Sequence, residues 1–316
     1  MILPQTLFPL VDEPIPKAKP FLKWAGGKSQ LIRQIETYLP PSLLQGTISK
    51  YAEPFIGGGA VFFFMAEHFQ LREFFISDMN KDLILAYKTV QADVEALIEL
   101  LSEIQHDYFQ LSPEKQKTYF YDLRTDFNQY DGEINFSQVT RDDVFHVAQL
   151  IFLNRTCYNG LYRVNAKGEF NVPYGKYKNP KICDAANLRN VSQLLAKTDI
   201  HYGDFTACSR FVDYQTFIYF DPPYRPISKT ASFNSYSTKR FDDDEQVRLA
   251  AFCRQLNDVG AKILLSNSDP HNQNSQDDFF QEIYAGFTIR KVVAKRAINS
   301  NGAKRGEITE LLVSNY

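Results

Sequence analysis

Apolar residues in this chain gather into short runs separated by longer stretches of helical period. Lys50–Glu53, Phe74–Asp78, Ile200–Asp204, Phe217–Phe220, Ile263–Ser266, Thr288–Ala294 and Ile308–Val313 read as strands. Between several of them lie amphipathic candidates: Gly59–Phe69, Asn80–Thr89, Cys183–Ala196, Asp242–Val259 and Gln276–Tyr284. Strands that alternate with helices predict an α/β fold with a largely parallel, doubly wound sheet. The final two strands are joined by Asn299–Gly306, rich in Asn, Gly and Lys and without a helix. Parallel strands need a longer crossover, so this pair is expected to form an antiparallel edge hairpin.

The alternation stops between about Tyr87 and Asn187. Three helix-like segments, Asp93–Gln105, Pro113–Asn128 and Arg141–Phe152, precede a stretch of 154–180 that has no period and is rich in Gly, Asn and Tyr. So many residues cannot be one connection in a compact sheet. The expected organisation is an arm over 1–19, a sheet domain over 20–86 and 188–316, and an inserted helical domain over 87–187.

Composition adds exclusions. Hydrophobic content of 44% with 14% aromatics is enough for a packed core, which rules out a disordered chain. A net charge of −2 exerts no global pull on a polyanion, so any such binding must come from local patches. Four cysteines (Cys157, Cys183, Cys208, Cys253) show no CxxC spacing, and the five histidines form no HExxH pair. Neither a metal site nor a disulfide framework is expected. The apolar start, Met1–Val11, carries two prolines and no basic n-region, and nowhere does an apolar run reach the ~20 residues of a membrane span. A soluble intracellular protein is expected.

The candidate chemistry lies at strand ends. Asp221-Pro222-Pro223-Tyr224 follows the apolar run Phe217–Phe220, at the carboxyl edge where open α/β sheets bind ligands. Asp221 can accept one N–H of an exocyclic amine, and the Pro222 carbonyl the other. The two prolines hold φ near −65°, so these acceptors need little ordering, and Tyr224 can stack on a flat base. The alternative is a plain strand-ending turn. Gly57-Gly58-Gly59 follows the first strand, and Asp78 ends the second, roughly 20 positions beyond Gly57. That spacing suits ribose hydroxyls, although a triple glycine can equally be a tight turn. Phe62 stands where a dinucleotide fingerprint has its last glycine, so a pyrophosphate is not expected. Gly27-Lys28-Ser29 ends like a P-loop, but Leu22 occupies the position of the required glycine. What remains there is Trp24, the single tryptophan, beside two glycines and a lysine; a core role alone leaves those glycines unexplained.

Arg155–Arg189 holds seven basic residues against two acidic ones, interleaved with Tyr158, Tyr162, Phe170, Tyr174 and Tyr177. Such a basic–aromatic surface suits a phosphate backbone, and a solvated lysine-rich loop is the alternative. Lys295-Arg296 and Lys304-Arg305 form a second basic group near the sheet edge.

Trp-Ala-Gly-Gly-Lys, Glu-Pro-Phe-Ile-Gly-Gly-Gly, Ser-Asp-Met-Asn, a helical insertion and then Asp-Pro-Pro-Tyr follow one another along the chain. In this order they resemble the Dam-type (D12 class, alpha group) DNA N6-adenine methyltransferases. The resemblance runs from about Pro20 to Tyr316 and takes in Phe233-Asn234-Ser235-Tyr236, Leu264–Ser268 and Glu310–Tyr316. It implies the Rossmann-like fold of S-adenosylmethionine-dependent methyltransferases, with the insertion as DNA-recognition domain. By the same resemblance Trp24, Lys28, Phe55, Gly57, Asp78 and Asp221 line the S-adenosylmethionine pocket, and Asp204 holds the cofactor's adenine amine. Tyr158–Arg163 and Phe170–Tyr177 look like the DNA-reading hairpin of members that methylate GATC. Arg163 then reads a guanine, Leu161, Pro173 and Tyr177 touch the thymine step, and Lys23 meets the outer guanine. Tyr158 and Asn159 fill the gap left by the extruded adenine. Arg163 is chemically apt, since its fork matches guanine O6 and N7.

The resulting expectation is site-specific methyl transfer to adenine N6 in double-stranded DNA, by base flipping and direct in-line transfer. Asp221, Pro222 and Tyr224 act as the catalytic residues, no metal takes part, and S-adenosylhomocysteine is the product. One copy acting on DNA in a prokaryotic cytosol is expected, either alone or beside a separately acting restriction endonuclease. Two rivals stay open: methylation of a protein amide or of RNA, and a catalytically silent DNA-binding module.

Overall fold

A computed structural model describes residues 17–28, 31–130, 132–225, 241–295 and 307–316. Most of the expected arm, Phe233–Tyr236, and Arg296, Lys304 and Arg305 of the basic loop lie outside the described residues.

Two short helices, α1 (Ile32–Thr37) and α2 (Pro41–Leu44), precede β1 (Lys50–Glu53), α3 (Ala60–His68) and β2 (Glu73–Asp78). Then come α4 (Lys81–Ala92), α5 (Val94–Gln110), α6 (Pro113–Asn128), α7 (Arg141–Thr156) and α8 (Ala185–Leu195). The chain finishes with β3 (Thr198–Tyr202), β4 (Thr216–Phe220), α9 (Asp243–Asp258), β5 (Lys262–Ser268), α10 (Phe279–Ile283), β6 (Thr288–Lys295) and β7 (Glu307–Ser314). The strands form one sheet in the order β3-β2-β1-β4-β5-β7-β6. β1 to β5 pair in parallel, whereas β7 runs antiparallel to both β5 and β6. The antiparallel final pair is therefore as the sequence predicts, with β7 lying inside β6.

Strand periodicity sorts the core onto two faces. Tyr51, Phe74, Ile76, Phe217, Tyr219, Leu264 and Leu312 pack with residues of α3, α4 and α8. Ala52, Phe75, Ile218, Phe220, Ile263, Leu265, Leu311 and Val313 pack with residues of α9 and with Phe280 of α10. β4 is buried at every position, which explains the apolar run Phe217–Phe220 within it. The first cluster continues without a break into α5, α6 and α7 through Leu101, Tyr108, Phe120 and Phe152.

Helix starts follow local chemistry. Asn80, Asp93, Ser112, Thr140, Asp184 and Asp242 each accept a backbone N–H as N-caps, and Thr140 with Asp143 forms a capping box. Two expected elements are displaced. β3 ends at Tyr202 rather than Asp204, because Asp204 turns away to cap the 3₁₀ turn Phe205–Arg210 through the Thr206 N–H. The helix expected over Gln276–Tyr284 shrinks to α10, because Asn274 and Asp277 bind the backbone N–H groups of Gln276 and Phe279. In the stretch 154–180, pairing is limited to single bridges, Cys157 with Tyr174 and Val164 with Phe170.

Candidate active site

The sheet order changes direction between β1 and β4, so the crevice beyond their carboxyl ends is the natural ligand site. Glu53 ends β1, Asp78 ends β2 and Asp221 follows β4. Three carboxyl groups thus stand on adjacent strand ends.

Asp221 is fixed through one oxygen. Its Oδ1 lies 2.9 Å from Lys28 Nζ and accepts the Ser266 hydroxyl at 3.0 Å. Lys28 is nearly buried; its ammonium also donates to the Gly26 carbonyl at 3.1 Å and sits 4.5 Å from the centre of the Tyr224 ring. The Tyr224 hydroxyl donates to Glu310 Oε2 at 2.6 Å, with Glu310 carried by β7. Burial, with Asp221 and Glu310 nearby, pushes the Tyr224 phenol well above its usual pKa, so it remains a donor. The tetrapeptide's exit is also tied: the Gln246 side chain donates to the Pro223 carbonyl at 3.1 Å, and Arg225 pairs with Asp243 and Asp277. Among the described residues, neither Asp221 Oδ2 nor the Pro222 carbonyl accepts a hydrogen bond. These are the two acceptors that the tetrapeptide's chemistry singles out.

Glu53 is buried beside this group and accepts the Tyr51 hydroxyl at 2.6 Å. Desolvation raises its pKa far above the ordinary carboxylate range, and nearby Asp221 adds to the rise.

The glycine turn between β1 and α3 meets Asp78. Gly57 N–H donates to Asp78 Oδ2 at 3.1 Å, and Asn80 N–H to Asp78 Oδ1 at 2.9 Å. Burial raises the Asp78 pKa despite these bonds. Gly57 has φ +47°, a backbone conformation that favours glycine, and a Cβ there would come within 3.1 Å of the Trp24 indole, a tight approach. Trp24 covers this turn and stacks on Tyr162, with ring centres 4.9 Å apart. Phe55 lies against Phe205, Phe220 and Phe241.

Asp204 follows β3 and is gripped by the Arg248 guanidinium and by Thr206. Burial alone would raise its pKa, but the Arg248 and Thr206 bonds outweigh that and bring it down to about 2.

The expected DNA-reading residues gather on one loop assembly. Lys23 Nζ lies 5.2 Å from the Tyr177 ring centre, and the Tyr177 hydroxyl accepts the Asn159 N–H at 3.1 Å. Tyr158 N–H donates to the Pro173 carbonyl at 2.8 Å, and the Tyr158 ring stands 56% exposed. Leu161 is half-buried, whereas Arg163 is exposed and donates from Nε to Asn171 Oδ1 at 2.7 Å. Asn154 pins the Lys23 backbone, accepting its N–H and donating to its carbonyl, both at 2.8 Å.

Sequence reasoning alone passed over Glu53, Ser266, Glu310, Asn154 and Arg248 as site residues. Glu53, Ser266 and Glu310 stand inside motifs named above; Asn154 and Arg248 act through contacts with residues far away in the chain.

A doubly wound sheet with β7 inserted antiparallel, a glycine turn after β1 and an acid at the end of β2 define the S-adenosylmethionine-dependent methyltransferase class. The chain belongs to the D12 class N6 adenine-specific DNA methyltransferases, whose family model it matches over residues 24–298. It is 53% identical to the type II methyltransferase M.MjaIII of Methanocaldococcus jannaschii, over 95% of this chain and 100% of that protein. Type II methyltransferase M1.LlaDCHI of Lactococcus lactis subsp. cremoris is 38% identical, over 94% of this chain and 95% of the relative. A DNA adenine methylase of Vibrio cholerae is 31% identical over 94% and 95%. The protein is an adenine-specific DNA methyltransferase, and its family uses S-adenosylmethionine. Among the described residues no helix is long and apolar enough to cross a membrane.

Proposed function

We propose that this enzyme methylates adenine N6 within GATC in duplex DNA, taking the target base out of the helix. The observation that carries the reading is the corner made by Asp221 Oδ2, the Pro222 carbonyl and the Tyr224 ring, with both acceptors unused by described residues. An exocyclic amine has two N–H groups to give, and a base inside the stack cannot reach such a corner.

The cofactor is cationic, and the strand ends fit it. Asp78 and Asp221 present two carboxyl groups beside the ammonium of Lys28, whereas burial of Glu53 works against its charged form; Asp78 stands beside the glycine turn, at the usual station for ribose hydroxyls. Trp24, Phe55 and Lys28 would bound the pocket, and Asp204 Oδ2 keeps a lone pair beside Arg248 for an adenine amine. When bound, S-adenosylmethionine supplies a methyl group on a sulfonium sulfur. Asp221 and the Pro222 carbonyl draw on both N6 hydrogens, which favours a pyramidal nitrogen and frees its lone pair. The amine takes Oδ2, while Lys28 keeps its pair with Oδ1. Asp221 then stabilises the positive charge that develops on nitrogen. Holding the reacting groups in register supplies up to roughly 7–11 kcal/mol of the barrier reduction.

In this reading residues 87–187 are the target-recognition domain, joined to a catalytic domain of 20–86 and 188–316. Arg163 reads guanine, Leu161, Pro173 and Tyr177 face the thymine step, Lys23 meets the outer guanine, and Tyr158 with Asn159 fills the vacated stack. The support is the Tyr158–Arg163 and Phe170–Tyr177 resemblance together with the clustering of Lys23, Asn159 and Tyr177. The names of the type II relatives favour a separately acting restriction endonuclease as the enzyme's functional companion. The test is expression in cells that lack adenine methylation. Their DNA should become resistant to an endonuclease blocked by methylated GATC and sensitive to one that requires it; unchanged digestion by both would refute the assignment.

A further inference from the structure

A closed circuit of contacts joins the glycine turn to the loop assembly of residues 154–180. It starts at Asp78, whose carboxylate holds the N–H groups of Gly57 and Asn80. Asn80 caps α4, and two residues into that helix Asp82 accepts the Tyr162 hydroxyl at 2.6 Å and faces His146 of α7 at 3.3 Å. The Tyr162 ring stacks on Trp24, and Trp24 lies against Gly57 and Gly58, which returns the circuit to its start. Burial would raise the Asp82 pKa, but the bonds from His146 and Tyr162 hold it below the ordinary value, so the carboxylate stays charged and a strong acceptor. The phenol is in turn driven well above its usual pKa by burial and by Asp82, and remains a donor.

Tyr162 is buried at 5% exposure, while its neighbours Leu161 and Arg163 face outward to differing degrees. It is the inward anchor of the segment to which base reading is assigned above. The segment Phe21–Lys28 shows the same division: Lys23 reaches Tyr177 on the loop assembly, Trp24 lies on the glycine turn, and Lys28 reaches Asp221. Asn154 and Arg155 of α7 fasten this segment to the insertion by its backbone.

We propose that Tyr162 is a positioning residue that couples cofactor binding to DNA binding. The inference rests on the function proposed above and extends it. Two ligands that each require the Trp24–Tyr162 stack to be ordered share one ordering cost. The first to bind removes that cost for the second, and linkage makes the effect reciprocal. The hydrogen bond to Asp82 ties the stack to α4; without it, the ring loses its fixed orientation and the two sites become independent.

The experiment is calorimetric titration of the full-length enzyme with S-adenosylhomocysteine, which cannot react, with and without a duplex carrying one GATC. The wild-type enzyme should bind it several-fold more tightly in the presence of the duplex, within the roughly 5–150-fold range usual for coupled sites. Tyr162→Phe keeps the ring but loses the bond to Asp82, and its coupling factor should fall towards 1. Tyr316→Phe, which loses a phenol bond to the Tyr38 carbonyl and has no tie to Trp24, should retain the wild-type coupling and controls for loss of stability. Hydrogen exchange offers a second readout: DNA alone should slow exchange over residues 21–28 in the wild type and not in Tyr162→Phe. Absence of coupling in the wild type, or full coupling in Tyr162→Phe, overturns the inference while the proposed function stands. Failure of the wild type to bind S-adenosylhomocysteine overturns both.

Discussion

Removing the Asp221 carboxylate strands a nearly buried ammonium, and the size of that penalty can be worked out. In Asp221→Ala, Lys28 loses a counter-ion at 2.9 Å, at a site where the two side chains are only 10% and 19% exposed. Breaking one partner of a buried pair costs about 3–5 kcal/mol, because the remaining charge is desolvated and unpaired. Lys28 keeps the Gly26 carbonyl and the face of Tyr224, a cation–π contact worth about 0.5–2 kcal/mol, which favours the lower end of that range. The Ser266 hydroxyl also loses an acceptor but retains Tyr219 at 2.9 Å. A net loss of about 3 kcal/mol follows, lowering the melting temperature by roughly 5–10 °C in a chain of this size. Adding Lys28→Met removes the stranded charge at similar volume and should restore most of the loss, to within about 1 kcal/mol. Thermal unfolding of wild type, Asp221→Ala and the double variant, without cofactor, reads this directly, and methyl transfer measured in parallel should be abolished in both variants while duplex binding persists. If Asp221→Ala melts like the wild type, or the double variant melts no higher than Asp221→Ala, the ion pair does not act as described. Retained methyl transfer in Asp221→Ala would remove that residue from the mechanism.

Arg163→Ala should relax discrimination at one guanine by about 1–3 kcal/mol, as measured by competition among duplexes changed at single positions; equal weakening on all sequences would mark Arg163 as a phosphate contact. Asp78→Ala should weaken S-adenosylmethionine binding in calorimetry with little effect on DNA affinity, and an unaltered cofactor affinity would take Asp78 out of the pocket. Asp204 is held at about 2, below its ordinary value of 3.8, so its pairing stabilises the fold above pH 4 and is lost as the pH falls towards 2. The stability curves of wild type and Arg248→Met should therefore converge near pH 2 and separate above pH 4; a constant gap across that window would contradict the pairing.

The sheet and its order of helices were legible because β-strand and helix periods repeat strongly: Phe217–Phe220 is apolar throughout because β4 is buried on both faces. Strand ends were less legible. Nothing in the local pattern marks Asp204 as a cap rather than the last strand residue, and nothing shows that Asn274 and Asp277 would hold back the start of α10. The position of β7 between β5 and β6 is equally invisible, since an antiparallel pair is compatible with either order. Within the site, the motifs announced single residues and omitted the bonds between them. Lys28 reaches Asp221, Tyr224 reaches Glu310 and Tyr162 reaches Asp82 across long separations in sequence, and such pairings leave no periodic trace. The glycines show the difference well. Gly26 and Gly27 stand close to Trp24 in sequence, yet the glycines its indole packs against are Gly57 and Gly58, about thirty positions away.

The most direct test of the central claim, that an adenine amine docks on the Asp221–Pro222–Tyr224 corner, follows an isotopic label. The purified enzyme would be incubated with S-adenosylmethionine carrying a deuterated methyl group and a duplex containing one GATC, and the nucleosides analysed by mass spectrometry. Label is expected on N6-methyl-2′-deoxyadenosine from that site alone, and none with Asp221→Ala. Label on cytosine, on adenines outside GATC to an equal extent, or on no nucleoside at all with folded, cofactor-binding enzyme would contradict it.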